Sequence, residues 1–284
     1  MVSVMMPVLA PQPVYFREAV SSLLSQTLTD IELIIVEDPS ETSAEQVIAE
    51  LADPRIRYFR NPKRTSLVDQ RNQALSEARA EFVACLDADD VALPERLQKQ
   101  LEYMTDRGNV DVLGSQLLII DAGGADIGYR AYPTSHEAIV KAMCEYNAIA
   151  QPSVMCRRRV MIECGGYQYR TYPVNEDYEL WSRLVLRGAR FANHPEPLLR
   201  YRIHAEGTKA TMMRRMLHAT IDVKKRFWLN RMTTRGRLRY WGEHILLVLP
   251  SSWVFRLFAL TQYQSVPAFP KAKSDTRSGD EPRG

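Results

Sequence analysis

The chain has 284 residues, of which 45% are hydrophobic and 25% are charged, so it can bury a full core and is expected to be globular. Its net charge of +3 is unevenly divided: residues 211–284 carry 14 Lys and Arg against 5 Asp and Glu, a balance of +9, which leaves −6 for residues 1–210. An acidic body with a basic C-terminal segment indicates that the segment contacts a phosphate-bearing surface such as anionic lipid headgroups.

The first residues do not resemble a secretion signal. Residues 1–13 lack a basic start and contain three prolines, so they predict a buried strand entering a loop and a protein that stays in the cytosol. The cysteines show neither CxxC nor His-x-Cys spacing, which argues against zinc and against a disulfide framework. We expect all four to be reduced core residues: Cys85, Cys144, Cys156 and Cys164.

Short apolar runs alternate with helix-like segments in the first ninety residues. Ser43 and Gln46 have the spacing of a capping box, which predicts that a helix begins there. Alternation with fully apolar strands predicts a mostly parallel sheet with helices on both faces, and ligands of such sheets bind at the carboxyl ends of the strands. The predicted strands are 2–6, 32–36, 56–59 and 82–86, and two further predicted helices are 15–28 and 67–78.

The next hundred residues predict a mixed arrangement of strands and helices. Pro94 suits the first position of a helix, and the turn-rich residues 121–124 predict a hairpin between strands 110–120 and 127–129. A further helix over 177–187 is expected to end at a C-cap glycine.

The C-terminal segment is basic, aromatic and compatible with helix over residues 211–240. The apolar run 245–260 is interrupted by Pro250 and is too short to span a bilayer, and residues after 264 are expected to be disordered. We expect the segment to hold the protein peripherally on the inner face of a membrane, the alternative being a helical lid packed on the main domain. Its cationic residues include Lys224, Arg226, Arg235, Arg237, Arg239 and Arg256, interleaved with Trp228, Tyr240, Trp241, Trp253, Phe255 and Phe258.

Three acidic clusters each follow an apolar strand or open a helix. They are Glu37-Asp38, Asp87-Ala-Asp89-Asp90 and Glu176-Asp177. Three carboxylates within four residues repel one another unless a divalent cation neutralises them, so the second cluster predicts a Mg²⁺ or Mn²⁺ site that also takes a diphosphate. The alternative is a solvated acidic turn in front of the next helix.

Several motifs in a fixed order resemble the inverting glycosyltransferases of family 2, which have the GT-A fold. The resemblance extends from Val2 to about His204. It implies a Rossmann-like sheet flanked by helices, with a nucleotide-binding half over 1–114 and an acceptor-binding half over 115–210, followed by a helical appendage over 211–263 and a tail over 264–284. The motifs end at Pro7, Asp38, Ala74, Asp90, Tyr167, Trp181 and His204.

The resemblance also implies roles for individual residues around a nucleotide-sugar donor. Asp89 would ligate the metal together with His204. Asp38 would bind the base, which is expected to be uracil, and Arg71 would contact the nucleotide or its phosphates. The donor-binding residues implied are Pro7, Asp38, Arg71, Asp87 and Asp90.

Transfer with inversion needs a carboxylate that takes the proton of the attacking hydroxyl, and the resemblance assigns that role to Asp177. Glu176 and Trp181 are candidate acceptor contacts, although a tryptophan on an apolar helix face is more often a core residue. The implied activity is transfer of one sugar, with a UDP-sugar as the expected donor, to a hydroxyl of a saccharide or lipid-linked acceptor in the synthesis of a cell-surface polysaccharide.

Some features differ from the family pattern, and other readings stay open. Pro39 replaces the usual glycine after Asp38, and Gln151 stands where histidine or asparagine often precedes a proline. No Gln-x-x-Arg-Trp motif is present, which argues against a processive synthase. A nucleotidyltransferase or an NAD-dependent oxidoreductase would carry a glycine-rich loop after the first strand, and this chain has none. A catalytically inactive scaffold of the same fold remains the alternative.

Overall fold

The computed structural model describes residues 1–168, 174–203 and 208–247. Helices and strands alternate along the chain, and the apolar runs form the strands as predicted. The strands are β1 (Val2–Leu9), β2 (Ile31–Asp38), β3 (Ile56–Arg60), β4 (Phe82–Cys85), β5 (Val91–Ala92), β6 (Val112–Ile120), β7 (Asp126–Arg130), β8 (Met155–Arg157) and β9 (Phe191–Arg202). The α-helices are α1 (Pro13–Leu24), α2 (Glu45–Leu51), α3 (Leu67–Glu77), α4 (Arg96–Asp106), α5 (His136–Met143), α6 (Arg158–Glu163), α7 (Glu176–Leu186), α8 (Thr208–Val223) and α9 (Thr234–Leu246).

Within the described residues the strands form one sheet with a parallel half and a mixed half. Strands β3, β2, β1 and β4 lie side by side and are parallel. Strand β8 then pairs antiparallel with both β4 and β6, while β6 runs parallel to β9 and antiparallel to β7. The α/β fold class predicted from the sequence is therefore confirmed, as is the hairpin of β6 and β7.

The apolar residues of the parallel strands divide between two cores, one on each face of the sheet. On β1, Val4 and Met6 pack in the core that contains Phe16 of α1, whereas Met5 packs in the core that contains Leu75 of α3. Successive side chains of a strand point to opposite faces, so a continuous apolar run needs helices on both sides.

The helix predicted near Ser43 is present, but the predicted capping box is not formed. Helix α2 begins at Glu45, and the buried Glu37 of β2 accepts the backbone N–H of Ala44 at 3.0 Å. The Gln46 amide instead donates to Glu50 at 3.0 Å. The start of this helix is therefore held by the Ser43 hydroxyl, which accepts the backbone N–H of Glu45 at 3.2 Å, and by a carboxylate from the neighbouring strand end, which no local spacing could indicate.

The C-terminal helices pack on the main domain and share its core. Trp228 is fully buried and donates its indole N–H to Ser182 of α7 at 2.8 Å, and Tyr240 is also buried. Lys224 is buried and its ammonium lies 2.6 Å from Glu243. These three side chains were predicted to face lipid, and the structure corrects that prediction because each is buried inside the protein.

The outer face of α9 is exposed. Leu238, Trp241 and Ile245 recur at helical spacing and are 70%, 62% and 64% exposed. No helix among the described residues is long and apolar enough to cross a membrane. The predictions for Trp253, Phe255, Arg256, Phe258 and the disordered tail fall outside the described residues.

Candidate active site

Three of the residues predicted to bind the nucleotide-sugar donor lie where the parallel strands end. Pro7 is near the end of β1 and pairs in register with Val36 of β2, and Asp38 is the last residue of β2. Asp87 follows two residues after β4. Because β1, β2 and β4 are parallel neighbours, their carboxyl ends open on the same edge of the sheet, where ligands of such sheets bind.

Asp38 fixes the loop between β3 and α3. Its carboxylate is buried and accepts the side-chain amide of Asn61 at 2.8 Å and the backbone N–H of Thr65 at 2.7 Å. The Thr65 hydroxyl donates to the same carboxylate at 2.9 Å. The loop that closes the edge beside β2 is thus held by the residue predicted to bind the donor base.

Arg71 of α3 connects two of the acidic clusters. Its guanidinium forms an ion pair with Glu176 at the start of α7 and lies 3.3 Å from Asp87. It also lies 5.4 Å from the centroid of the buried Tyr167 ring. Burial lowers the pKa of Arg71, but the two carboxylates outweigh it, so the pKa is raised and the residue stays charged.

Glu176 shares this buried pair. Burial raises the pKa of the Glu176 carboxyl, Arg71 lowers it, and the neighbouring Asp177 raises it. Glu176 was predicted as an acceptor contact; in the structure its carboxylate is engaged with Arg71, and its side chain is 9% exposed. It therefore connects α7 to α3.

The turn that carries Asp87, Asp89 and Asp90 is held from the opposite side by Arg202 of β9. The Arg202 backbone N–H donates to the Asp90 carboxylate at 2.9 Å, and its guanidinium donates to the backbone carbonyl of Asp89 at 2.9 Å. The same guanidinium pairs with Glu18 of α1. Asp90 is buried, so the structure places it as a support of the turn, while Asp87 and Asp89 are partly exposed.

A third arginine lies beneath this turn. Arg96 of α4 is fully buried and donates to the backbone carbonyl of Cys85 at 2.7 Å. Burial lowers its pKa to about 10, and Asp90 and Asp87 act against that shift. Three arginines from α3, α4 and β9 thus surround a turn with three carboxylates, which reduces the repulsion among them.

Asp177 lies at the start of α7, across the edge from the strand ends. Its carboxylate accepts the side-chain amide of Asn147 at 2.9 Å and the backbone N–H of Tyr178 at 2.8 Å. The hydroxyl of the buried Tyr178 donates to the carbonyl of Met143 at the end of α5. The predicted base is therefore anchored to the segment that follows α5.

The C-terminal helices hold the start of α7 directly. Asn175, at φ 59°, precedes the helix without capping it. Its amide instead donates to the carbonyl of Met216 at 3.0 Å and to the hydroxyl of Thr220 at 2.7 Å, both on α8. The position of Asp177 consequently depends on the appendage as well as on the main domain.

The prediction that Trp181 contacts the acceptor is corrected. Trp181 is fully buried, with its ring 6.2 Å from that of Phe191 in an edge-on arrangement, so it has no face on which a sugar could stack. Gln151 is also buried and donates to the Tyr167 hydroxyl at 2.6 Å. His204, predicted to reach the metal, lies outside the described residues.

Arg202, Asn147 and Asn175 are parts of the site that were not singled out from the sequence. Arg202 stands inside the motif that ends at His204, and Asn175 opens the motif that ends at Trp181, so those motifs were the available signals. For Asn147 no motif or spacing rule applies, since its partner Asp177 comes from a separate element of the fold.

The carboxylates of the acidic turn fit a hard divalent cation that is coordinated partly by the protein and partly by a bound ligand. Asp87 and Asp89 offer partly exposed carboxylate oxygens, which Mg²⁺ and Mn²⁺ accept. No group of three or more His, Cys, Asp or Glu that could hold a metal occurs in the part of the chain that the structure describes. Among these residues the geometry therefore suits an ion held by one or two carboxylates and by phosphate oxygens, rather than an ion caged by protein alone.

The sheet has the topology of the GT-A fold of glycosyltransferases, with acidic residues at the edge where its parallel strands end. Residues 3–165 match the model of glycosyl transferase family 2, which is more than half of the chain, and the chain belongs to that family.

Curated relatives agree over most of the chain. An uncharacterized glycosyltransferase of Methanocaldococcus jannaschii is 29% identical over 268 residues, 90% of this chain and 92% of that protein. The O-antigen biosynthesis glycosyltransferase WbnJ of Escherichia coli is 31% identical, over 70% of this chain and 78% of its own. The UDP-Glc:alpha-D-GlcNAc-diphosphoundecaprenol beta-1,3-glucosyltransferase WfaP of Escherichia coli is 26% identical, over 72% and 78% of the two chains.

Two solved structures show the same fold at low sequence identity. Residues 1–349 of S. aureus TarS in complex with UDP superpose with a TM-score of 0.61 and 17% identity, over 92% of this chain and 72% of that one. The mannosyltransferase PcManGT from Pyrobaculum calidifontis, in complex with GDP-Man and Mn²⁺, gives 0.62 and 14% identity, over 91% and 73%. The GT-A fold predicted from the sequence is confirmed.

Proposed function

We propose that the protein transfers one sugar, with inversion, from a UDP-sugar to a hydroxyl of a saccharide or lipid-linked acceptor in polysaccharide synthesis. The proposal rests on carboxylates at two sides of one edge of the sheet. The turn with Asp87, Asp89 and Asp90 follows β4, and Asp177 lies at the start of α7. Arg71 and Glu176 join the two sides. WbnJ and WfaP, named for O-antigen and lipid-diphosphate chemistry, support the choice of acceptor.

In this proposal residues 1–114 bind the nucleotide and residues 115–210 bind the acceptor. Asp38 and Pro7 border the base, and Arg71 and Asp87 contact the nucleotide or its ribose. Asp89 ligates Mg²⁺ or Mn²⁺, with His204 as the other predicted protein ligand. When bound, the ion stabilises the negative charge of the diphosphate.

Asp177 acts as the general base. The acceptor oxygen forms a bond to the anomeric carbon while its proton passes to the Asp177 carboxylate, and the bond from that carbon to the diphosphate oxygen breaks. The diphosphate leaves with the bonding electron pair from the opposite face, which inverts the anomeric configuration.

A panel of nucleotide-sugars tests the function. We expect the protein with Mn²⁺ and an acceptor mixture to release free nucleotide from a UDP-sugar, and Asp89→Ala to lose metal-supported UDP binding in isothermal titration because a metal ligand is removed. Asp106→Ala, which removes an exposed carboxylate at the end of α4, is the matched control and should bind UDP as the unchanged protein does.

Two outcomes would contradict this assignment. Undiminished affinity of Asp89→Ala for UDP in the presence of Mn²⁺ would exclude Asp89 as a metal ligand. UDP binding without release of nucleotide from any donor would favour the inactive scaffold.

We further propose that the enzyme lies peripherally on the inner face of a membrane, where a lipid-linked acceptor resides. The exposed apolar stripe of α9 is the supporting observation: Leu238, Trp241 and Ile245 share one face, and Arg235 and Arg237 are exposed beside it. Apolar side chains rimmed by cations suit an anionic headgroup surface, where each Lys or Arg contributes about 1 kcal/mol.

Sedimentation with vesicles tests this attachment. The protein is expected to pellet with anionic vesicles, to dissociate from them in high salt and not to pellet with neutral vesicles, because part of the attraction is electrostatic. Replacement of Leu238, Trp241 and Ile245 by serine should abolish pelleting. The matched control replaces Ile127 and Ile162, which are 55% and 47% exposed elsewhere, by serine.

Point substitutions are needed because a chain cut near residue 210 would also remove Trp228 and the contacts of Asn175 with α8. Equal pelleting of the stripe variant and the control variant would refute attachment through α9.

A further inference from the structure

The segment after α5 brings a neutral amide to the carboxylate of Asp177. Asn147 donates its side-chain N–H to Oδ2 of Asp177 at 2.9 Å, while Oδ1 accepts the backbone N–H of Tyr178 at 2.8 Å. The two oxygens of the carboxylate are thus fixed by donors from two different elements. A carboxylate held at both oxygens cannot rotate freely about its terminal bond.

The orientation of the Asn147 amide follows from its second contact. Its Oδ1 accepts the backbone N–H of Ile149 at 3.3 Å, so its Nδ2 must be the atom that faces Asp177. An amide turned the other way would set two oxygens against each other and two N–H groups against each other. Asn147 is therefore a donor to Asp177.

The segment that carries Asn147 is itself anchored on both sides. Before it, the carbonyl of Met143 accepts the hydroxyl of Tyr178. After it, the carbonyl of Ala148 accepts the side-chain amide of Asn193 of β9 at 3.0 Å. Ile149 is 1% exposed in the core. The donor to Asp177 is consequently mounted on a fixed backbone, as positioning of a functional group requires.

We propose that Asn147 is a positioning residue of the transfer reaction, which aims the Asp177 carboxylate at the acceptor hydroxyl. This inference rests on the proposed role of Asp177 as the base. Asn147 acts through Asp177 and takes no proton itself. Its loss leaves a charged carboxylate with one donor fewer and with rotational freedom, so it slows the chemical step without weakening the donor complex.

A double-mutant cycle on transfer tests the inference. We expect Asn147→Ala to lower kcat by about 10- to 100-fold, which corresponds to the loss of one hydrogen bond to a charged group. The KM for the nucleotide-sugar and the KM for the acceptor should stay within about twofold of the unchanged protein, since Asn147 contacts neither substrate. In an Asp177→Asn background the same substitution should change kcat by less than about twofold, because the group it positions is gone.

A second variant guards against a trivial loss of folding. Asn147→Asp keeps the size of the side chain and the acceptor for the Ile149 N–H, and it replaces the donor to Asp177 by a second carboxylate that repels it. It should lower kcat at least as much as Asn147→Ala, and the unfolding midpoints of both variants, measured in parallel, show that the assayed protein is folded.

Three outcomes overturn the inference. Additive losses in the cycle would show that Asn147 acts independently of Asp177. A rise in the acceptor KM with unchanged kcat would make Asn147 a binding contact. Full transfer activity of Asp177→Asn alone would exclude Asp177 as the base. This result distinguishes a failure of the proposed mechanism from a failure of the role proposed for Asn147.

Discussion

Replacement of Asp177 by asparagine is expected to lower transfer by about 10²- to 10⁴-fold, the range for removal of a general base. The substitution preserves the shape of the side chain but leaves a group that cannot take the acceptor proton. Donor binding should be retained, because the predicted donor residues lie on the strand ends and on α3 rather than on α7. Fixed-time assays of sugar transfer measure the rate, and titration with UDP in parallel measures the affinity for the donor nucleotide.

Glu163→Gln serves as the control for this experiment, since it neutralises an exposed carboxylate at the end of α6. It should transfer at the rate of the unchanged protein. Transfer by Asp177→Asn within a few-fold of that rate would exclude Asp177 as the base, and loss of UDP affinity would mean that the substitution disturbs the donor site.

The parallel half of the sheet could be predicted because its strands are buried on both faces and therefore apolar without interruption. Strand β9 could not be predicted from the sequence. It contains Pro195 and Pro197, which normally argue against a strand interior. The structure accommodates them where the register of β6 against β9 shifts around Gln116, and that shift depends on the partner strand.

The site was predictable to the extent that its groups are marked locally. Carboxylates at the ends of apolar strands indicate a strand-end site, and the structure places Asp38 and Asp87 at such ends. The groups that hold them come from distant parts of the chain: Arg202 lies 112 residues from the Asp90 carboxylate that it contacts. Burial also decides roles that residue type leaves open, and it places Trp181 in the core rather than at the acceptor.

Replacement of Arg71 by methionine is expected to lower the free energy of unfolding by about 3–5 kcal/mol, the range for removing one partner of a buried ion pair. The side chains of Arg71 and Glu176 are 6% and 9% exposed, so the Glu176 carboxylate would remain buried without its cation. Arg71 lowers the pKa of Glu176 against the effect of burial, and its removal therefore raises that pKa further.

The sign of the pH dependence follows from this shift. A carboxyl whose folded pKa lies above its unfolded value binds more protons in the folded state, so its contribution to stability falls as pH rises from the unfolded pKa through the folded one. Urea unfolding of Arg71→Met should accordingly show a larger loss near pH 8 than near pH 5.

The double variant Arg71→Met with Glu176→Gln distinguishes the ion pair from simple packing. It removes both charges and keeps comparable volume, and exchange of a whole buried pair for neutral groups is often close to neutral in stability. We expect it to recover more than half of the loss and to lose the added dependence on pH. A double variant as unstable as Arg71→Met, or a single variant that loses less than about 1 kcal/mol, would show that the pair between α3 and α7 does not hold the two sides of the site together.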